Sequence, residues 1–174
     1  MDDFADSLSA TQYQSKKWLV DQLAKQQDML FPRILILGGW YGSYLVPMLK
    51  ETIRPDHIFL NDINPQVLKV AQKLHGDDHI SYLQFDATDA MTSFEPDIVI
   101  NTSCEHMASY DMMLSCSPNG LFVLQTCDNT NDPGHINVSR STDEFIEKLG
   151  LTKIIWSGRQ NLGHKNRFMV IGKQ

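Results

Sequence analysis

The side chains of this sequence that are able to do chemistry fall into a few groups. Glu105 and His106 stand side by side, a carboxylate and an imidazole that can take a proton or grip a polar ligand. His135 and Asn137 add an imidazole and an amide from a polar stretch, Cys127 to Val138, long enough to suspect a functional loop that binds substrate. Asp62 closes a short apolar run, about twenty residues after a turn in which Gly38, Gly39 and Gly42 surround Trp40 and Tyr41. A glycine turn followed at that distance by an acid is how open α/β sheets hold the ribose of a nucleoside-containing cofactor: the turn admits close backbone approach, and the carboxylate accepts the ribose hydroxyl protons.

The elements that must position these groups are legible as an alternation of strands and helices. Ile34 to Leu37 is an apolar run suited to a strand buried on both faces, and the glycines after it mark a ligand edge. Ser43 is expected to cap a helix through Leu49 to about Ile53, with Pro47 near its first turn. His57 to Leu60 is the second strand. Asn64 as N-cap and Pro65 at the first helical position start a helix with Val67, Val70, Ala71 and Leu74 inward and Gly76 as its stop. Ile80 to Phe85 is a third strand ending at Asp86-Ala87, followed by a weak helical turn through Met91, and Pro96 to Asn101 a fourth. Ala108 to Cys116 reads as helical, with Met112 and Met113 as packing, and Leu121 to Thr126 as the fifth strand. Ser141 caps a helix through Leu149, and Thr152 to Trp156 with Arg167 to Gly172 form an antiparallel hairpin around a basic loop, Arg159 to Asn166. Ahead of all this, 1–10 is expected to fray, and the N-terminal segment 11–30 carries an amphipathic helix from about Thr11 to Gln27 with Trp18, Leu19 and Leu23 on one face.

Five strand–helix alternations closed by an antiparallel hairpin resemble the class I S-adenosylmethionine-dependent methyltransferases over nearly the whole chain from about residue 11. Gly38 and Gly42 fit the outer glycines of that family's first motif, where a dinucleotide fingerprint would want glycine at Trp40. Asp62-Ile63-Asn64-Pro65 resembles the run whose aspartate binds the cofactor ribose, Asp86-Ala87 the pair that meets the adenine amino group, and Glu105-His106 the Glu-His that follows the fourth strand in many small-molecule methyltransferases. The resemblance implies α/β architecture with three layers, a Rossmann-like, mostly parallel sheet with a C-terminal antiparallel hairpin, and one domain over 1–174. It implies S-adenosylmethionine as cofactor, bound by Gly38, Gly39, Trp40, Gly42, Asp62, Ile63, Asp86, Ala87, Asn101 and Thr102, and methyl transfer to a small-molecule or nucleotide acceptor with Glu105 and His106 as catalytic groups. Asn101 and Thr102 lie where the methyl would emerge. Tyr13 and Lys16 reach the cofactor's carboxylate only if the first helix folds over the site, and Trp40 is either packing at the sheet edge or a lid.

Two departures define the alternatives. The family's acid near the end of the first strand and the middle glycine of its turn are Ile36 and Trp40 here. The Ile-Leu-Gly-Gly opening is nearer to the aminopropyltransferases, yet the aspartate pair expected of those enzymes after the fourth strand is replaced by Thr102 to His106, so methyl transfer ranks first. A non-catalytic subunit with the same fold is the third reading, and the chain's small size leaves room for a partner chain completing the site.

Composition sets the outer limits. The chain has 174 residues, 42% hydrophobic and 21% charged, enough for one globular core. A net charge of −6 argues against a protein that holds duplex nucleic acid through many phosphates. Cys104, Cys116 and Cys127 show no C-x-x-C spacing, so free thiols are expected rather than disulfides, and no metal site is read from the sequence. The acidic N-terminus and the lack of a long apolar run point to no signal peptide, no membrane span and a cytoplasmic location.

Overall fold

The computed structural model describes residues 2–89 and 95–174. In chain order the elements are α1 (Asp2–Ser7), α2 (Ala10–Gln26), β1 (Arg33–Leu37), α3 (Leu45–Thr52), β2 (His57–Asn61), α4 (Pro65–His75), β3 (Ile80–Leu83), β4 (Ile98–Asn101), α5 (Asp111–Ser115), β5 (Leu121–Cys127), α6 (Thr142–Leu149), β6 (Lys153–Asn161) and β7 (Asn166–Lys173), with 3-10 turns at Ala87–Asp89 and Cys104–His106. They build one sheet in the order β3-β2-β1-β4-β5-β7-β6. β3, β2, β1, β4 and β5 run parallel, and β7 is antiparallel to both β5 and β6. Strand order reverses between β1 and β4, so the crossovers after them leave on opposite faces and open a crevice at their carboxyl ends, where open α/β sheets take their ligands.

Both faces of the sheet are covered, which is why the central strands read as unbroken apolar runs. Ile34 and Ile36 of β1 pack with Leu19 and Leu23 of α2, Leu45 and Leu49 of α3 and Ala71 of α4 on one side. Leu35 and Leu37, one residue out of phase, join Met113 and Leu114 of α5 and Phe145 and Leu149 of α6 on the other. Phe145 is fully buried, so its truncation to alanine costs about 3–5 kcal/mol. Capping matches the expected chemistry at Asn64, whose side chain accepts from Gln66 N–H, and at Ser141, which accepts from Glu144 N–H, with Gly76 and Gly150 as left-handed stops.

Several expectations need correction. Ser43 does not cap α3: Tyr44 occupies that position without a side-chain bond, and the Ser43 hydroxyl pairs with Ser7 instead. That pairing exists because 2–7, expected to fray, forms α1, which sets Phe4 edge-on against Tyr41 and receives the Tyr44 hydroxyl at the Leu8 carbonyl. α4 buries Val67, Leu68 and Ala71, whereas Val70 and Leu74 are exposed. The sheet ends at β3, so among the described residues nothing covers the outer flank of that helix. β3 stops at Leu83 rather than Phe85, and the helical turn expected through Met91 lies in part outside the described residues. α5 is a single short helix; Met113 is buried but Met112 is exposed. Half of the expected basic loop is strand: Arg159 pairs with Phe168, and 162–165 turn between β6 and β7.

Candidate active site

The turn after β1 is held by its neighbour rather than by itself. Gly38 has φ +54°, a left-handed conformation natural to glycine, and its N–H donates to the side-chain oxygen of Asn61. Gly39 N–H donates to the Asn61 carbonyl, and a Cβ on Gly39 would lie 2.4 Å from Leu60 Cδ1, so no side chain fits. Asn61, fully buried at the end of β2, also donates from its amide to the carbonyls of Leu83 and Phe85. One side chain thereby fastens the carboxyl tips of β1, β2 and β3 together. Sequence reasoning passed over it; the only signal was a polar residue ending an apolar strand.

Asp62 follows at once. Its Oδ2 accepts from Trp40 N–H at 3.0 Å and its Oδ1 from Asn64 N–H at 2.9 Å, which fixes the carboxylate while each oxygen keeps a lone pair for the crevice. Trp40 adopts φ +53°, unusual for a side chain of its bulk, and the bond to Asp62 holds it there. Its indole is half-buried beside Tyr41 and lines the crevice instead of entering either core.

The crevice has three connected lobes that share Gly38 and Ser103. The first lies between the glycine turn, Thr102 and Lys16 of α2. The Lys16 ammonium has no hydrogen bond or ion pair among the described residues; burial and the neighbouring Arg167 guanidinium lower its pKa to about 7. α2 does fold over the site, and Lys16 faces the turn, while Tyr13 is exposed and stacks edge-on against Tyr44. The second lobe, of about 260 Å³, is lined by Asp62, Ile63, Asp86, Ala87, Asn101 and Met107. Asp86 accepts from the hydroxyl and N–H of Thr88, which holds its carboxyl below the usual value. Asn101 turns its amide toward the sulfurs of Met107 and Met113, so its side chain braces the loop after β4.

The third lobe, about 530 Å³, is bounded by Trp40, Asp62, Glu105, His106, His135, Lys165 and Arg167 among others. Glu105 is 2% exposed and accepts from Arg167 Nη1 at 2.6 Å. Burial pushes its carboxyl up, but the guanidinium outweighs this and leaves it below the ordinary glutamate value; Arg167 is raised in return. The sequence places Arg167 at the start of the last strand beside a basic loop, facing an anionic substrate or solvent, and no local pattern links it to Glu105, 62 residues away. His106 is exposed; its Nδ1 contacts the Gly134 carbonyl at 2.9 Å, so Nδ1 carries the proton and Nε2 faces outward as an acceptor. His135 stands edge-on to it at 4.7 Å, with Nδ1 on the Asn129 carbonyl. Asn137, expected at the acceptor, lines none of the three lobes: its amide donates to the Met107 carbonyl and its N–H to the Glu105 carbonyl, pinning the loop after β5 onto the segment after β4. The three cysteines are free thiols, and Cys127 lies behind the third lobe within 3.6 Å of Glu105.

A structure from Listeria monocytogenes described as a putative S-adenosylmethionine-dependent methyltransferase superposes with a TM-score of 0.66 at 14% identity, covering 92% of this chain and 99% of that one. The fold is that of the class I S-adenosylmethionine-dependent methyltransferases. The magnesium protoporphyrin IX methyltransferase of Synechocystis PCC 6803 with bound S-adenosylhomocysteine shares this methyltransferase fold with a TM-score of 0.70, at 14% identity over 94% of this chain and 84% of that one. So does the putative methyltransferase of Haloferax volcanii in complex with its Trm112 activator, at 0.65 and 15% identity over 94% and 96%. No family model matches the chain, and no curated protein matches its sequence. Among the described residues no helix is long and apolar enough to cross a membrane.

Proposed function

We propose that the chain is an S-adenosylmethionine-dependent methyltransferase that binds its cofactor along the first two lobes and its acceptor in the third. The observation that carries this reading is the bonded pair of glycine turn and Asp62 at the switch point of a methyltransferase fold. The residues fit the cofactor. Asp62 offers lone pairs to ribose hydroxyls, and Asp86, Ala87 and Ile63 line a lobe of adenine size beside Gly38. Lys16, whose ammonium has no hydrogen bond or ion pair among the described residues, takes the methionine carboxylate, an anion that would offset the burial lowering its pKa.

The cofactor, when bound, supplies an electrophilic methyl group on a sulfonium. The protein's own part is to orient the acceptor, exclude water and take a proton where the acceptor carries one. His106 is the proton acceptor in this scheme, since its Nε2 is open to the third lobe while Nδ1 is tied to Gly134. Glu105 is buried and neutralised by Arg167, which makes it a positioning residue: it orients the guanidinium and, through its carbonyl, anchors Asn137. The acceptor is a small molecule or nucleotide that fits a lobe of about 530 Å³. A partner chain that closes the lobe, as the Haloferax methyltransferase has its activator, is compatible with this geometry. Aminopropyl transfer from decarboxylated S-adenosylmethionine is the second reading, favoured by the Ile-Leu-Gly-Gly opening.

Calorimetric titration with S-adenosylhomocysteine, decarboxylated S-adenosylmethionine and NAD separates these readings. Methyl transfer expects S-adenosylhomocysteine to bind and Lys16→Met to weaken it. Preference for the decarboxylated cofactor, with no effect of Lys16→Met, selects aminopropyl transfer, and binding of NAD alone removes both.

A further inference from the structure

Pairing with Arg167 accounts for one oxygen of Glu105 but leaves the rest of its surroundings unexplained. Glu105 Oε2 is buried without any hydrogen-bond partner. A carboxylate oxygen in that state is costly, because it has left water and gained nothing. Beside it lie the Cys127 thiol, 3.6 Å from Glu105 Oε1, and His135 Nε2, 4.0 Å from the same oxygen. One ligating atom from each of these three residues lies within 4.8 Å of the others. The ligand–ligand edges of a tetrahedral zinc site, with bonds of about 2.0–2.3 Å, measure about 3.3–3.8 Å, so Cys127 and His135 each stand near bonding separation from Glu105 Oε1, and the thiol lies 3.7 Å from the near nitrogen of the His135 ring, Nδ1.

The hydrogen bonds of His135 sharpen the point. Its Nδ1 donates to the Asn129 carbonyl at 2.7 Å, which leaves Nε2 as a lone pair facing Asp132 Oδ2 at 3.6 Å and Glu105 Oε1 at 4.0 Å. Acceptors that face one another need a cation between them. A ring N–H donated to a backbone carbonyl is also the support that metal-bound histidines carry, since it fixes the tautomer and aims the other nitrogen. A proton on Nε2 would serve Asp132 Oδ2 and Glu105 Oε1 but would leave Glu105 Oε2 without a partner among the described residues.

We propose that Glu105, Cys127 and His135 form a zinc site with three protein ligands and a fourth position open to the third lobe. The mixed sulfur, nitrogen and oxygen set suits zinc and disfavours magnesium or calcium, which take oxygen alone. Binding releases the thiol proton to solvent and forms a thiolate–metal bond. The formal charges then balance: the thiolate, Glu105 and Asp132 carry three negative charges, against two on the ion and one on Arg167. Arg167 occupies one lone pair of Oε1, the oxygen nearest Cys127 and His135, and leaves its other lone pair and the unpartnered Oε2 for the ion. Glu105 and His135 line the lobe while Cys127 is fully buried behind them, so the open position points toward the cavity. On the methyl-transfer reading, that position takes the sulfur, oxygen or nitrogen of the acceptor, or a water.

Co2+ replaces zinc as a visible probe in the chelator-treated full chain. The expected result is one ion per chain, a thiolate-to-cobalt charge-transfer band in the near ultraviolet, strong tetrahedral bands in the visible, and loss of all of these on adding Zn2+. Cys127→Ser should remove the charge-transfer band. Cys127→Ser and His135→Gln should each weaken Zn2+ by at least about the 10–100-fold that loss of even a supporting group costs, and Cys116→Ser should change nothing. A pale, octahedral cobalt spectrum in the unsubstituted chain overturns the proposal without recourse to any variant, and so does a thiolate band that survives Cys127→Ser. S-adenosylhomocysteine titrated into the same samples reads the cofactor site separately: cofactor binding without the cobalt band sinks only the metal site, and the band without cofactor binding sinks only methyl transfer.

Discussion

The two ends of the crevice are built on opposite principles. At the end proposed for the cofactor, Asp62 is half-exposed and held by the backbone N–H groups of Trp40 and Asn64, and Asn61 does the fastening. At the end proposed for the acceptor, Glu105 and Arg167 are 2% and 4% exposed, come from distant parts of the chain and hold each other. The first end rests on local backbone geometry fastened by Asn61, and will tolerate loss of the Asp62 side chain. The second is a buried charge network in which each member exists on condition of the others.

The largest effect should follow from breaking that condition. Arg167→Met leaves Glu105 charged and unpaired in the interior, and chemical denaturation should show a loss of about 3–5 kcal/mol. Glu105→Met together with Arg167→Met should recover most of it, because the desolvation cost disappears with the pair; failure to recover would mean that the network does more than neutralise itself. The pH dependence has a definite sign. The Glu105 carboxyl is lowered in the folded protein, so its contribution is fully present above its unfolded value, 4.5, and is lost as pH falls through the lower folded value. Arg167→Met should remove that acid-limb sensitivity from the stability profile.

At the cofactor end the expected effects are on binding. Asp62→Ala should cost about 1.5–3 kcal/mol of S-adenosylhomocysteine affinity with little change in folding stability, read by calorimetry beside a denaturation midpoint. A loss of stability as large as that of Arg167→Met would erase the contrast between the two ends. Ligand at a hundredfold its dissociation constant should stabilise the unsubstituted chain by about 2.7 kcal/mol, measurable as a shift in Tm.

Trp40→Gly tests the turn itself, with the smallest effect on stability. Relief of a positive φ and the added freedom of the unfolded chain offset each other, so stability should move by under about 1 kcal/mol, while affinity falls if the indole covers the ligand. Fluorescence reports the same contact. Trp18 and Trp156 pack edge-to-face at 5.8 Å between α2 and β6, so their double replacement by phenylalanine isolates Trp40 at some cost in stability. A silent titration in that variant, with binding confirmed by heat, places the indole away from the ligand.

The contrast also explains what could be read from the sequence. Asp62-Ile63-Asn64-Pro65 records strand end, carboxylate and helix start in consecutive residues, and the glycines before it record a turn, so the β1–β3 half of the sheet was legible with the caps of α4, though not the start of α3. The acceptor half was not. Glu105 and Arg167 meet only because β7 runs between β5 and β6, and residues 105, 127 and 135 meet only because the loop after β5 folds back over the tip of β4. Neither contact leaves a spacing pattern. The misassigned face of α4 has a simpler origin: Val70 and Leu74 fit a helical stripe, and only the end of the sheet at β3 decides that nothing covers them.

The position of β7 also sets a timetable. Ribosomes deliver the chain from its N-terminus, so β1 to β4 can pair while β5, buried at all seven of its residues, still has an open edge on the side where β7 belongs. Until 167–172 emerges, that edge is a row of unpaired backbone groups beside an uncompensated Glu105. The nascent protein therefore passes through a stage with its cofactor half assembled and its acceptor half open. Chains released early at that stage are the ones expected to aggregate through β5 or to be taken up by a chaperone.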